Sequence, residues 1–124
     1  MNMREIKFRA WDNVNKRMGY FAPGFGWNDE YYLWYLQLES GEDISDVPFG
    51  DNIHLMQFTG LKDKNGKEIY FGDRVSFKGR STTVGEVDKV IEIKDWYDVV
   101  GEYGLENAVE GGLSLEIVNN IYED

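Results

Sequence analysis

The sequence predicts a mainly β protein built on a small bent sheet or a partly closed barrel, with an N-terminal hairpin and long loops. Three observations carry that expectation. Apolar and polar residues alternate over short stretches, as at 4–11 and 113–117, and a period of two is the signature of a half-buried strand. Fourteen glycines and Asn-Gly, Gly-Asp and Asn-Asn pairs cut the chain into short pieces, the punctuation of an all-β chain. The 124 residues are 42% hydrophobic, enough for a single domain over 1–124 that buries roughly two-thirds of its unfolded surface.

The elements follow in order. Ile6, Phe8 and Ala10 share one strand face and Glu5, Lys7 and Arg9 the other. Asp12–Lys16 is a polar turn, and Met18 and Tyr20 start a return strand, so 4–21 reads as a hairpin. Residues 22–30, APGFGWNDE, contain Pro23, two glycines and Asn-Asp, and read as a loop. Tyr31–Leu38 admits two readings. As a strand both faces are apolar; as a helix Tyr31, Trp34, Tyr35 and Leu38 form one stripe. Aromatic enrichment favours the strand. The acidic stretch Glu39–Asp51 is a loop.

Ile53–Thr59 reads as a strand with Met56 and Phe58 opposite Ile53 and Leu55. Asn65-Gly66 is the strongest short turn signal, because both residues tolerate the positive φ of a type I′ turn. Gly72-Asp73 is a second turn, followed by a strand with Val75 and Phe77 inward. Residues 82–87 and 89–94 add strand material, and Trp96–Val100 is short and aromatic. Gly101–Gly112 is a glycine-rich acidic loop with one helical turn near Leu105–Val109. Leu113, Leu115 and Ile117 form the last alternating strand. Seven to nine strands result, and closing or bending the sheet hides its edges.

Charge narrows the function classes. The net charge is −10, which on average repels nucleic acid and anionic membranes. Residues 56–80 nevertheless hold six bases against three acids, whereas 81–124 hold two bases against eleven acids. Lys62, Lys64, Lys67, Arg74, Lys78 and Arg80 thus form a basic centre before an acidic last third. No cysteine is present, which excludes a disulfide framework, a Cys-based zinc site and a thiol nucleophile. His54 is the single histidine and has no signature of a nucleophile or orienting carboxylate around it. It reads as a packing or surface residue. Pairs such as Glu42-Asp43 and Glu92-Asp95 are expected by number alone among 23 acids, so no metal and no cofactor is expected. The N-terminus carries no apolar signal region and no segment is long enough to cross a bilayer. A cytoplasmic protein without membrane association is expected.

The aromatic group Phe25, Trp27, Tyr31, Tyr32, Trp34 and Tyr35 is the most informative chemistry. Each such side chain hides on the order of 150–250 Å2, more in total than one strand buries in a small core. Core packing, a subunit or partner interface, and base stacking are all open. Trp27, Tyr31, Tyr32, Trp34 and Tyr35 are the candidate interface, and the six bases are the candidate nucleic-acid surface.

Three stretches together carry a resemblance: MREIKFRAWD at 3–12, LMQFTGLKDKNGKEIYFGDRV at 55–75 and LEIVNNIYED at 115–124. They are similar to the opening, centre and end of the YopX family, small proteins encoded by phages and prophages of bacteria. The family pattern usually has Glu where this chain has Phe71, and Gly where it has Asn119. The resemblance implies a phage origin and a β-rich fold, in a bacterial host's cytoplasm, and it brings no catalytic residues. The central stretch lacks the Walker spacing and the EF-hand ligand series, so its Asp, Asn and Gly read as a structural hairpin. A looser likeness covers Gly72–Gly79 with Gly85-Glu86-Val87, which resembles the hairpin of KOW-type SH3-like barrels and makes an SH3-like barrel the expected architecture.

The expected function is that of a non-enzymatic accessory protein that self-associates, as a homo-oligomer, or docks on a host or phage protein. The alternative is a nucleic-acid-binding SH3-like barrel. An acidic last third that mimics DNA is a further variant, and an enzyme is the least expected.

Overall fold

The computed structural model describes residues 7–25, 32–44, 50–81 and 84–123. Eight strands and two short helices are found among them: Phe8–Asp12 (β1), Arg17–Phe25 (β2), Tyr32–Gln37 (β3), Ile53–Lys62 (β4), Glu68–Tyr70 (β5), Asp73–Ser81 (β6), Gly85–Glu92 (β7), Trp96–Val100 (α1), Leu105–Glu110 (α2) and Ser114–Asn120 (β8). The protein is mainly β, as expected. The strands hydrogen-bond in the orders β3-β2-β1-β4-β5 and β7-β6-β8, two antiparallel sheets rather than a closed barrel. The chain divides into two compact units, Lys7–Gln57 and Phe58–Asp124.

In the first unit, β1 and β2 form the expected hairpin, with Ala10 opposite Gly19. The Asp12 carboxylate closes it by accepting from the backbone N–H groups of Val14 and Asn15, both at 3.0 Å, and from Arg17 Nε at 3.1 Å. An aspartate bonded to the backbone two residues on is a side-chain mimic of a turn. The strand is covered on both faces rather than half-buried: Arg9, Ala10, Trp11 and Asp12 are all buried. Arg9 reaches Met56 Sδ at 3.6 Å through Nη2. Its aliphatic stem lets a charged residue line a covered face.

The loop reading of 22–30 is corrected at its start, because β2 continues through Pro23 and Gly24 to Phe25. The register explains how. Beyond Tyr20 the described pairing of β2 is with β3 alone, Pro23 facing Trp34. A strand with one neighbour tolerates the missing N–H of proline. Tyr31–Leu38 resolves in favour of the strand, over Tyr32–Gln37. Gly41, at φ +92, turns the chain back so that Ile44 N donates to Leu36 O.

The second unit holds the hydrophobic core. Ile69, Val75, Phe77, Ile93, Val99, Leu105, Ala108 and Leu115 are buried together, with Leu61, Phe71, Val87, Ile91, Leu113 and Ile117 packed around them. Val75 and Phe77 point inward as expected, and Leu115 of β8 is buried with them. Against β5, β4 gains extra residues between Phe58 and Lys62. The bulge is braced by Thr59 Oγ1, which donates to Ile69 O at 2.6 Å.

Trp96–Val100 is a helical turn, for a local reason. Asp95 caps it by accepting from Asp98 N, while the Asp98 carboxylate accepts from Asp95 N. Such a reciprocal box satisfies helix-start donors. The helical turn expected near Leu105–Val109 is α2. Helix α2 returns the chain through Gly111 and Gly112 to β8.

Candidate interaction surface

The expected type I′ turn at Asn65-Gly66 does not form. Gly66 has φ +81, but Lys16 is the only non-glycine residue of positive φ among the described residues. The Asp63 carboxylate accounts for the difference. It accepts from Asn65 N and Lys67 N, both at 2.9 Å, and from Ile117 N at 3.1 Å. With Gly66 N donating to Asp63 O at 3.0 Å, the turn is type I-like with a left-handed glycine after it, the other common hairpin solution. Burial pushes the Asp63 carboxyl up. The N–H groups of Ile117, Lys67 and Asn65, helped by the Lys67 charge, outweigh burial and leave it below its ordinary value. Asp12 follows the same pattern: burial raises it, and bonds from Asn15, Val14 and Arg17 bring it lower than usual.

Asp73 and Asn120 play similar parts. Asp73 accepts from Tyr70 N at 2.9 Å, and Asn120 Oδ1 accepts from Tyr122 N and Glu123 N. Asp63, Asp73 and Asn120 of these runs are therefore engaged by backbone N–H groups, whereas the Asn65 amide donates to Glu116 and Asn119 Oδ1 accepts from Arg74. Asn119 lies beside a register shift opposite Arg74 without a left-handed backbone.

The six bases are distributed along both faces of charge pairing. Lys62 faces Glu68 across β4 and β5. Lys64 forms an ion pair with Glu116 at 3.6 Å, and Lys67 is close enough to Asp63 to lower it. On β6 the register sets Arg74 opposite Glu92, Lys78 opposite Asp88 and Arg80 opposite Glu86. Each base thus has a carboxylate for a neighbour, and opposite charges across a ladder stabilise a sheet. Of the candidate interface, Trp27 and Tyr31 lie outside the described residues. Tyr32, Trp34 and Tyr35 take register positions in β3 opposite Phe25, Pro23 and Ala22. His54 is half-buried on β4, opposite Trp11 in register. No group of three or more His, Asp or Glu among the described residues is placed to hold a metal.

Two features have no local signature in the sequence. The first is exposure at the helical corner: Tyr97, Val100, Tyr103 and Val109 are all more than half exposed, and Trp96 is 40% exposed. The second is an open groove of about 420 Å3 between the β6–β7 hairpin and the α2 segment. Phe77, Val87, Ala108 and Leu113 supply its apolar lining, and Lys89, Glu102 and Glu110 its charges. Lys89 stands opposite Phe77 in register and holds its ammonium 5.8 Å from the ring centroid. A cation over a ring face is electrostatically held there. The volume lies within the range of small-ligand and side-chain pockets.

The fold and surface define a small two-sheet antiparallel protein in which Asp12, Asp63 and Asn120 hold turns. The chain belongs to the YopX family, whose model, described as YopX protein, matches residues 7–124. Among solved structures it is similar to the crystal structure of protein EF1440 from Enterococcus faecalis, with 23% identity, a TM-score of 0.53, and coverage of 98% of this chain and 96% of that one. At that identity the likeness concerns the fold. No curated protein matches the chain significantly. No helix among the described residues is long and apolar enough to cross a membrane.

Proposed function

We propose that this chain is a phage- or prophage-encoded accessory protein that acts in the host cytoplasm by binding protein, with a second copy of itself as the first partner, and without catalysis. One observation carries the reading: within residues 96–109 five apolar side chains stand in solvent, three of them the Trp and Tyr types that dominate interface anchors. The aromatic segment Trp27–Leu38 is the other surface in this reading. The β6–β7 hairpin, with left-handed Gly79 and Gly85, supports the likeness to SH3-like hairpins. The nucleic-acid alternative is disfavoured by the carboxylate beside each of its six bases.

Light scattering over a concentration series tests the proposal on the unmodified chain, the Trp34→Ala variant and a Tyr97→Asp, Val100→Asp double variant. The expected mass of the unmodified chain is a multiple of 14.4 kDa. A drop to the monomer in one variant, with unchanged circular dichroism, identifies the surface. A monomeric mass at every concentration for the unmodified chain rejects self-association.

A further inference from the structure

We infer that the groove between the β6–β7 hairpin and α2 binds an extended cationic segment of a partner protein, arginine-bearing and anchored by one apolar side chain. The inference rests on the protein-binding reading and names the partner's chemistry. The groove has an apolar floor for an anchor, in the partly buried Val87 and Leu113 over the buried Phe77, and two rim carboxylates, Glu102 and Glu110, against the single ammonium of Lys89. Two carboxylates against one ammonium leave the rim with a net negative charge, and Lys89 is drawn toward the Phe77 ring, 5.8 Å from its centroid. Tyr103 stands at the rim, 62% exposed, with a ring face available to a guanidinium. Arginine stacks on aromatic faces and pairs with carboxylates in a planar fork, which lysine does not. Residues 81–124, which supply all of the groove but Phe77, hold eleven acids against two bases, a field that draws a cationic chain in.

A fluorescein-labelled peptide of alternating Arg and Leu, and its counterpart with Glu for each Arg, probe the groove by fluorescence polarisation and by amide shifts of the isotope-labelled full chain. The expected result is binding of the Arg peptide alone, with shifts concentrated at Val84, Lys89, Tyr103, Gly104 and Ala108. Tyr103→Ala and the Glu102→Gln, Glu110→Gln pair should each weaken it at least fivefold. Glu86→Gln with Asp88→Asn, on the other face of β7, should change it less than twofold. Equal binding of both peptides, no binding, or shifts scattered over every acidic residue overturns the inference. Those outcomes leave the oligomeric mass untouched, so the broader reading stands or falls separately.

Discussion

The Asp63 carboxylate accepts the backbone N–H of Ile117 at 3.1 Å, across 54 residues of chain. The same carboxylate holds its own turn through Asn65 N and Lys67 N, and Lys64 N donates to Leu115 O at 2.8 Å. The hairpin tip thereby covers the edge of β8. Asp63→Ala should leave three donors without their acceptor and cost about 3 kcal/mol, the scale of losing charge-assisted bonds to a buried group. Asp63→Asn keeps one carbonyl oxygen for the turn but sets an amide against one donor, so it should cost less, about 1–2 kcal/mol. Urea unfolding monitored by circular dichroism measures both. Equal stability of Asp63→Ala and the unmodified protein would remove Asp63 from this role.

Acid should expose the same residue. Asp63 and Asp12 both sit below their ordinary value of 3.8 in the folded chain. Each therefore binds protons less readily folded than unfolded. Their stabilisation is complete above about pH 5 and is lost as the pH falls through 3.8 toward the folded values. The urea midpoint should be flat from about pH 7 to 5 and fall below about pH 4. Asp63→Asn should show a shallower acid limb with Asp12 still contributing. An acid limb of unchanged steepness in that variant would show that other carboxylates carry it.

Much of this fold is written in side-chain alternation. Val75, Phe77 and Leu115 are inward because their strands alternate, and the Tyr32–Gln37 strand follows from aromatic and β-preferring residues. Other features depend on neighbours the sequence does not name. Pro23 sits in a strand where, among the described residues, β2 pairs with β3 alone, a fact of register. The 63–67 turn departs from type I′ because Asp63 captures backbone donors, a competition that the Asn-Gly pair alone conceals. The helical turn at Trp96–Val100 depends on the reciprocal bonds between Asp95 and Asp98, which an aromatic run of five residues does not announce. The carboxylate partners of Arg74, Lys78 and Arg80 appear only once β6 and β7 are aligned. The groove joins β6, β7 and α2, and no local pattern announces it.

Two glycines should separate backbone strain from lack of room. Gly66 has φ +81, and a Cβ there meets nothing within 4 Å. Gly66→Ala should cost only the left-handed penalty, about 1 kcal/mol, and Gly66→Asn less. Gly104 has ordinary φ of −84. A Cβ on it would come within 2.7 Å of Asp98 O and 2.8 Å of Val99 O. Both contacts are backbone, so α1 must move away from the start of α2, at a cost of about 2–3 kcal/mol. Thermal unfolding ranks the three variants. Gly104→Ala as mild as Gly66→Asn would mean that the helical corner is slack.

The Phe71 ring meets Trp96 edge-on with centroids 4.8 Å apart. Trp96 opens α1, a helix of five residues. So short a helix does not hold itself and depends on packing. Phe71→Glu removes the aromatic contact, worth about 1 kcal/mol, and puts a charge beside the acidic start of α1, where Asp95 and Asp98 form the cap. The loss should fall first on α1. Hydrogen exchange should quicken at the Gly101 amide, which donates to Tyr97 O at 2.8 Å, while the amides of β6 and β8 keep their protection. Phe71→Leu should restore part of the protection by covering the same apolar floor without the ring edge. Uniform loss across β6 and β8 in Phe71→Glu would instead make Phe71 a member of the global core, and α1 no less stable than the sheet it covers.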